Sequence, residues 1–145
     1  MAVNSLPLAQ VGPILALTIA SIGSCIGCYI AGSASHGAMA KTEEGHGKFI
    51  GMSAAPSSQC IYGFILMLLL SNAIKNGTTS EIAGIWIGLT TGLALLASAV
   101  FQGRVCATGI QATLKQPSVY GKCFAAVGIL ESFALFVFVF TLLII

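Results

Sequence analysis

Charge is what this 145-residue chain has least of. Only 7% of its residues are charged, whereas 57% are hydrophobic and the mean hydropathy is +0.98. A typical soluble domain carries about 25% charged residues, so the composition excludes a water-soluble protein. The net charge of +2 is also too small and too scattered for a nucleic-acid-binding surface. We therefore expect an integral membrane protein with no nucleic-acid partner.

Two further absences narrow the class. No basic segment precedes the first apolar run, and that run is too long for the apolar region of a signal peptide. We therefore expect no signal peptide. The five cysteines are odd in number and all lie in apolar stretches, which argues against a disulfide framework. Cys25 and Cys28 form a C-x-x-C motif, but no second ligand pair accompanies it. We interpret both as small packing residues.

Four apolar stretches are long enough to cross a bilayer as helices. They cover about 8–40, 49–74, 82–114 and 119–145, and short polar turns separate them. Gly45 and Gly47 are expected to break the helix in the first turn. The third stretch is longer than the hydrocarbon layer is thick, so it should protrude, and Arg104 need not lie at the bilayer centre. The fold class predicted is an all-α membrane protein with four transmembrane helices.

The two halves of the chain resemble each other at an offset of 72 residues. Gly12 and Leu17 then meet Gly84 and Leu89 without a gap. This register predicts two tandem duplicated helical hairpins, at 1–75 and 76–145, within one membrane domain. It also places Gln59 opposite Glu131, so only the second copy carries the acid.

Small residues recur at every fourth position in the first and third spans. Such spacing lets neighbouring helix backbones approach closely in a membrane. We expect both spans to pack closely against neighbouring helices, and Pro56 to kink the second span because it lacks a backbone N–H. The small residues are Gly23, Gly27 and Ala31 in the first span, and Gly84, Gly88 and Gly92 in the third.

Glu131 is the only ionisable side chain between Phe124 and Ile145. An unpaired charge inside a membrane span costs a few kcal/mol on insertion scales, and such groups are functional by default. The glutamate must therefore find partners, take up a proton or hold a cation. The alternative is a protonated carboxyl that only joins helices by hydrogen bonds.

Other polar side chains are expected at the level of Glu131. Counted from the basic turns at 1.5 Å per residue, Gln59, Gln102 and Glu131 lie within about 6 Å of one plane. Ser58 and Tyr62 belong to the same helix as Gln59, whereas the first span offers only Ile30 at this depth. Oxygen ligands with one negative charge suit a hard monovalent cation. Either glutamine alone would be explained by an interhelical hydrogen bond.

Basic residues predict the orientation of the chain. Lys41, Lys48, Lys115 and Lys122 flank the first and third turns, whereas only Lys75 flanks the second. Basic residues favour the cytoplasmic side. We therefore expect loops 41–48 and 115–122 in the cytoplasm and both termini outside, in a multi-pass protein of the cell membrane.

The chain resembles the proteolipid rotor subunit, subunit K, of bacterial V-type ATPases over nearly its whole length. The resemblance is carried by segments 56–64, 102–105 and 109–111 and by Glu131. It implies a ring of identical subunits in lipid that turns against a stator and meets central-stalk subunits at its cytoplasmic loops. It implies no catalytic site and no cofactor in this chain, only a bound Na⁺ or H⁺.

The same resemblance implies a set of sodium ligands. They are the side chains of Glu131, Gln59, Gln102 and Ser58 and the backbone carbonyl of Ala55, with Tyr62 steadying the glutamate. Ser58 and Ala55 stand where such proteins can have threonine and leucine, which keeps the oxygens in place.

Two glutamines exceed the needs of a proton carrier, so sodium is the favoured ion, although glutamines can also hold a protonated glutamate. A small four-span proton-coupled exporter and a purely structural four-span protein are the alternative functions.

Overall fold

A computed structural model describes residues 7–145 of the chain, and the secondary structure within that range is helical. The first six residues of the predicted first hairpin lie outside the described residues. Two 3₁₀ turns, Ala55–Ser57 and Pro117–Val119, precede the third and fifth α-helices. The helices are α1 Leu8–Met39, α2 His46–Ala54, α3 Ser58–Lys75, α4 Glu81–Lys115 and α5 Tyr120–Leu142.

These elements form four segments that are long and apolar enough to cross a membrane. The second joins α2 to α3 through the first 3₁₀ turn (His46–Lys75), and the fourth runs from Pro117 to Leu142. The predicted class, an all-α membrane protein with four spans, is confirmed. At 35 residues, α4 is about 52 Å long, which exceeds the hydrocarbon thickness.

The ends of the helices differ slightly from the sequence prediction. The second span begins at His46, three residues before the expected start at Phe49. Gly45 has a φ of 80° and makes the turn, and its carbonyl accepts the N–H of Lys48. Gly47 is therefore helical, and the expectation that it breaks the helix is wrong. The last helix ends at Leu142, short of the expected residue 145.

Glycines bring α1 and α4 into contact side by side, running in the same direction. A Cβ atom at Gly12 would meet the backbone of Gly84, and one at Gly103 would meet the backbone of Gly27. At Gly27 a Cβ would also lie 2.7 Å from the Cβ of Pro56. The close helix approach expected from the small residues is thus present, and within one chain the first and third spans make it with each other.

The remaining helices form a second layer, in which α3 packs on α1 and α5 packs on α4. The two helices of this second layer meet where the rings of Tyr62 and Phe138 stack, with centroids 5.5 Å apart. Pro56 interrupts the second span with a 3₁₀ turn. Because Pro56 has no N–H to donate to the Met52 carbonyl, the Ala55 N–H donates to that carbonyl instead. This turn leads directly into the polar residues at the start of α3.

Candidate ion-binding site

The carboxylate of Glu131 in α5 accepts hydrogen bonds from two other helices. The hydroxyl of Tyr62 in α3 donates to its Oε1 atom over 3.0 Å. Nε2 of Gln102 in α4 donates to its Oε2 atom over 3.4 Å. Tyr62 and Gln102, which are 69 and 29 positions away in sequence, therefore meet at the acidic side chain in the middle of α5.

The two glutamines form the buried inner part of this site, and each is 0% exposed. Nε2 of Gln59 donates to Oε1 of Gln102 over 3.0 Å. Nε2 of Gln102 also donates to the backbone carbonyl of Val127, over 3.2 Å. Because every amide group has a partner, the pair stabilises the contact between α3, α4 and α5.

Ser58 and Ala55 extend the site towards the 3₁₀ turn. The Ser58 hydroxyl lies 3.3 Å from Oε1 of Gln59 and 3.1 Å from the carbonyl oxygen of Ala55. The structure therefore connects all six residues predicted from the sequence through hydrogen bonds. Ala55 contributes its backbone oxygen to this chain of hydrogen bonds.

The sequence prediction missed Ser98 of α4. Its hydroxyl accepts from Nε2 of Gln59 over 3.4 Å and donates to the carbonyl of Leu130 over 3.3 Å. Ser98 precedes Gln102 by four residues, so the two share one helix face. That spacing was the signal in the sequence that could have identified it.

The oxygens brought together here are all hard ligands. Carboxylate, amide, hydroxyl and carbonyl oxygens suit Na⁺, whereas transition metals prefer sulfur or imidazole. Within residues 7–145 no cluster of three or more histidine, cysteine or acidic side chains could hold a metal. The chemistry of the site is thus that of a single half-buried acid among neutral oxygens.

An apolar cluster borders the site on the side that faces the turn between α3 and α4. Ala20, Leu95 and Ala134 are at most 1% exposed and pack against Tyr62. Glu131 and Tyr62 themselves are only half-buried, at the edge between α3 and α5. The carboxylate is therefore more accessible from the side of the molecule than along its axis.

These features define a class: an integral membrane protein of two tandem helical hairpins with one carboxylate among polar side chains between its spans. The sequence profile of the family of ATP synthase C subunits matches the chain twice, over residues 11–70 and 85–144. The chain belongs to this family. The resemblance and the duplication seen in the sequence are both confirmed, although the two matches begin 74 residues apart and not 72.

Two relatives are similar over most of the chain. It is 38% identical over 120 residues to the A-type ATP synthase subunit K of Methanocaldococcus jannaschii, covering 83% of this chain and 53% of that protein. It is 27% identical over 133 residues to the V-type sodium ATPase subunit K of Enterococcus hirae, covering 90% and 85%. The chain thus spans about half the length of the first relative.

Proposed function

We propose that this chain is the ion-carrying rotor subunit of a V/A-type ATPase or ATP synthase. The observation that carries the proposal is the meeting of Glu131, Tyr62 and Gln102 from three helices of a duplicated proteolipid. Its family is that of rotary ATP synthase membrane subunits, which favours this role over an exporter or a purely structural protein.

In the proposed mechanism Glu131 carries the ion across the membrane as a ring of identical subunits rotates against a stator. A glutamate neutralised by Na⁺ or H⁺ can face lipid, whereas a bare carboxylate cannot do so at low cost. A basic stator residue would favour the charged, empty form of Glu131 and so drive release of the ion. Tyr62 holds the carboxylate in place through the rotation.

Sodium is the ion that we propose. A proton needs only the carboxylate and one acceptor, whereas Na⁺ needs several oxygens around it. Here Gln59, Gln102 and Ser58 supply three side-chain oxygens, and the Ala55 carbonyl adds a fourth. One of the two relatives is a subunit of a sodium ATPase, which supports the same choice.

The remaining parts of the proposal concern partners and orientation. Loops 41–48 and 115–122 would face the cytoplasm, where they meet central-stalk subunits, and the termini would lie outside. The chain would hold no catalytic site and no resident cofactor, since ATP chemistry belongs to other subunits. The hairpins 1–75 and 76–145 would act as one unit of the ring.

Sodium dependence of ATP hydrolysis by the assembled enzyme tests this function. The proposal predicts that Na⁺ stimulates hydrolysis, and that Glu131→Gln in every copy abolishes both stimulation and ion transport into vesicles. Glu81→Gln, at the start of α4 and outside the site, is the matched control and should change neither. Full ion transport by the Glu131→Gln enzyme would exclude the proposed role.

A further inference from the structure

The hydroxyl of Ser98 in α4 is shared between two other helices. The hydroxyls of Ser21 and Ser33 donate to carbonyls four residues earlier in their own helix, a common pattern for serine inside a helix. The Ser98 hydroxyl instead contacts Gln59 of α3 and Leu130 of α5, which are 39 and 32 positions away in sequence. Ser98 therefore takes part in a contact between three helices at the edge of the ion site.

The contact with Leu130 decides how the single hydroxyl hydrogen of Ser98 is used. A backbone carbonyl can only accept, so over these 3.3 Å the hydroxyl must donate to Leu130. Towards Gln59 the Ser98 oxygen can then only accept. The Gln59 atom that lies 3.4 Å from it must therefore be the amide nitrogen Nε2. Ser98 thus determines which end of the Gln59 amide faces α4.

A second carbonyl of α5 orients Gln102 in the same way. The Val127 carbonyl can only accept, so the Gln102 atom that lies 3.2 Å from it is Nε2. Oε1 of Gln102 is then turned to Gln59, whose Nε2 donates to it over 3.0 Å. The two hydrogens of this Gln59 nitrogen are both used, one towards Gln102 and one towards Ser98. Two carbonyls of α5 therefore set the direction of the whole amide network.

This direction leaves Oε1 of Gln59 on the side of the 3₁₀ turn. The oxygen lies 3.3 Å from the Ser58 hydroxyl, which in turn lies 3.1 Å from the Ala55 carbonyl oxygen. If the amide were turned over, its oxygen would face Oε1 of Gln102 without a hydrogen between them. Its NH₂ group would then point among the oxygens of the site, where a hard cation finds no ligand in it. Gln59 can therefore bind a cation only in the orientation that Ser98 supports.

We propose that Ser98 is a positioning residue that favours Na⁺ at this site, because it keeps Oε1 of Gln59 turned towards the ion. The inference rests on the proposed sodium function and adds a determinant of ion choice. The hydrogen bonds to Glu131 come from Tyr62 and Gln102, so protonation of this carboxylate does not require the Ser98 hydroxyl. Loss of that hydroxyl weakens the binding of Na⁺ and leaves the binding of H⁺ nearly unchanged.

Carbodiimide labelling of Glu131 in purified rings measures both affinities. The Na⁺ concentration that halves the labelling rate at fixed pH reports sodium binding, and the pH of half-maximal labelling without sodium reports proton binding. In Ser98→Ala we expect the half-protecting Na⁺ concentration to rise about fivefold, as the loss of one hydrogen bond allows. The pH of half-maximal labelling should stay at its wild-type position.

Two further variants separate the hydroxyl from the packing around it. Ser98→Thr keeps the hydroxyl and should keep the wild-type sodium affinity. Ser132→Ala is the matched control, since it removes a hydroxyl next to Glu131 that donates to the Ile129 carbonyl in its own helix, over 2.7 Å. This control should change neither affinity.

The outcomes separate this inference from the proposed function. An unchanged sodium affinity in Ser98→Ala, an equal loss in Ser98→Thr, or an equally large change in proton binding would overturn the role of Ser98 alone. Wild-type rings that Na⁺ does not protect would overturn the sodium function, and the role of Ser98 with it. If Ser98→Ala rings do not assemble, Ser98→Cys decides, because a thiol is only a weak acceptor. A wild-type sodium affinity in that variant would equally overturn the role of Ser98.

Discussion

At the level of single residues, the geometry around Glu131 suits an ionised carboxylate. Tyr62 and Gln102 both donate to it, one to each oxygen. Ionised carboxyl groups accept hydrogen bonds only, whereas a protonated one would also donate. Two neutral donors orient the carboxylate without cancelling its charge, which in the proposed function a bound Na⁺ or H⁺ would do.

Carbodiimide labelling tests which acid is the functional one. A hydrophobic carbodiimide should modify Glu131 and none of Glu43, Glu44 and Glu81, because it reacts with a protonated carboxyl in apolar surroundings. Peptide mass spectrometry locates the label. Modification of the loop acids with Glu131 left unmodified would contradict the assignment.

Tyr62→Phe tests the role of the hydroxyl. The change removes one donor to Glu131 but keeps the ring that stacks on Phe138. We expect sodium affinity to fall about tenfold, since hydrogen bonds to charged groups contribute roughly 1.5–3 kcal/mol. Tyr29→Phe, on an exposed tyrosine of α1, is the control. Equal sodium affinities of the two variants would show that the Tyr62 hydroxyl does not contribute to ion binding.

Much of this site could be predicted because helix rise converts residue number into depth. Counting from the basic turns put Glu131, Gln59 and Gln102 at one level, and the structure brings them into hydrogen-bonding contact. Ser98 was missed because the depth count covered only Gln59, Gln102 and Glu131. The partner of each amide could not be predicted, since it depends on rotamers that the sequence does not determine.

At the level of helices, glycines hold α1 and α4 together inside one chain. Gly27 lies against Gly103, Ala99 and Pro56, whereas a Cβ at Gly32 on the same helix would meet nothing within 4 Å. The regularly spaced small residues therefore pack the two hairpins of one chain against each other.

Gly27→Ala compared with Gly32→Ala tests this packing. We expect Gly27→Ala to destabilise the chain by about 1–3 kcal/mol, as overpacking does, and to lower its thermal unfolding temperature in detergent. Gly32→Ala should be neutral or slightly stabilising. Equal unfolding temperatures for the two variants would contradict the packing described here.

Hydropathy predicted the four spans because apolar length alone decides whether a helix can cross a bilayer. The exact helix ends were less predictable. Gly45 makes a turn with positive φ and Gly47 is helical, yet both are glycines in the same polar stretch. Only the backbone shows which glycine ends the turn: the Lys48 N–H donates to the Gly45 carbonyl, so α2 begins at His46.

At the level of the whole molecule, the rotor proposal requires many copies of the chain. Native mass spectrometry of the detergent-extracted protein should show a closed ring of identical subunits. Glu131→Gln should leave the ring intact, because glutamine has nearly the same shape as glutamate and can accept from Tyr62. A dimer as the largest species would favour an exporter.

Protection of Glu131 by sodium tests the central claim most directly. If Na⁺ and H⁺ compete for this carboxylate, Na⁺ should slow carbodiimide labelling of the ring, and more strongly at higher pH, where fewer protons compete. Gln102→Leu or Gln59→Leu should abolish the protection while Glu131 stays reactive, and Gln111→Leu, at an exposed position of α4 outside the site, should keep it. A labelling rate of Glu131 that does not change with sodium at any pH would contradict the account and indicate a proton site.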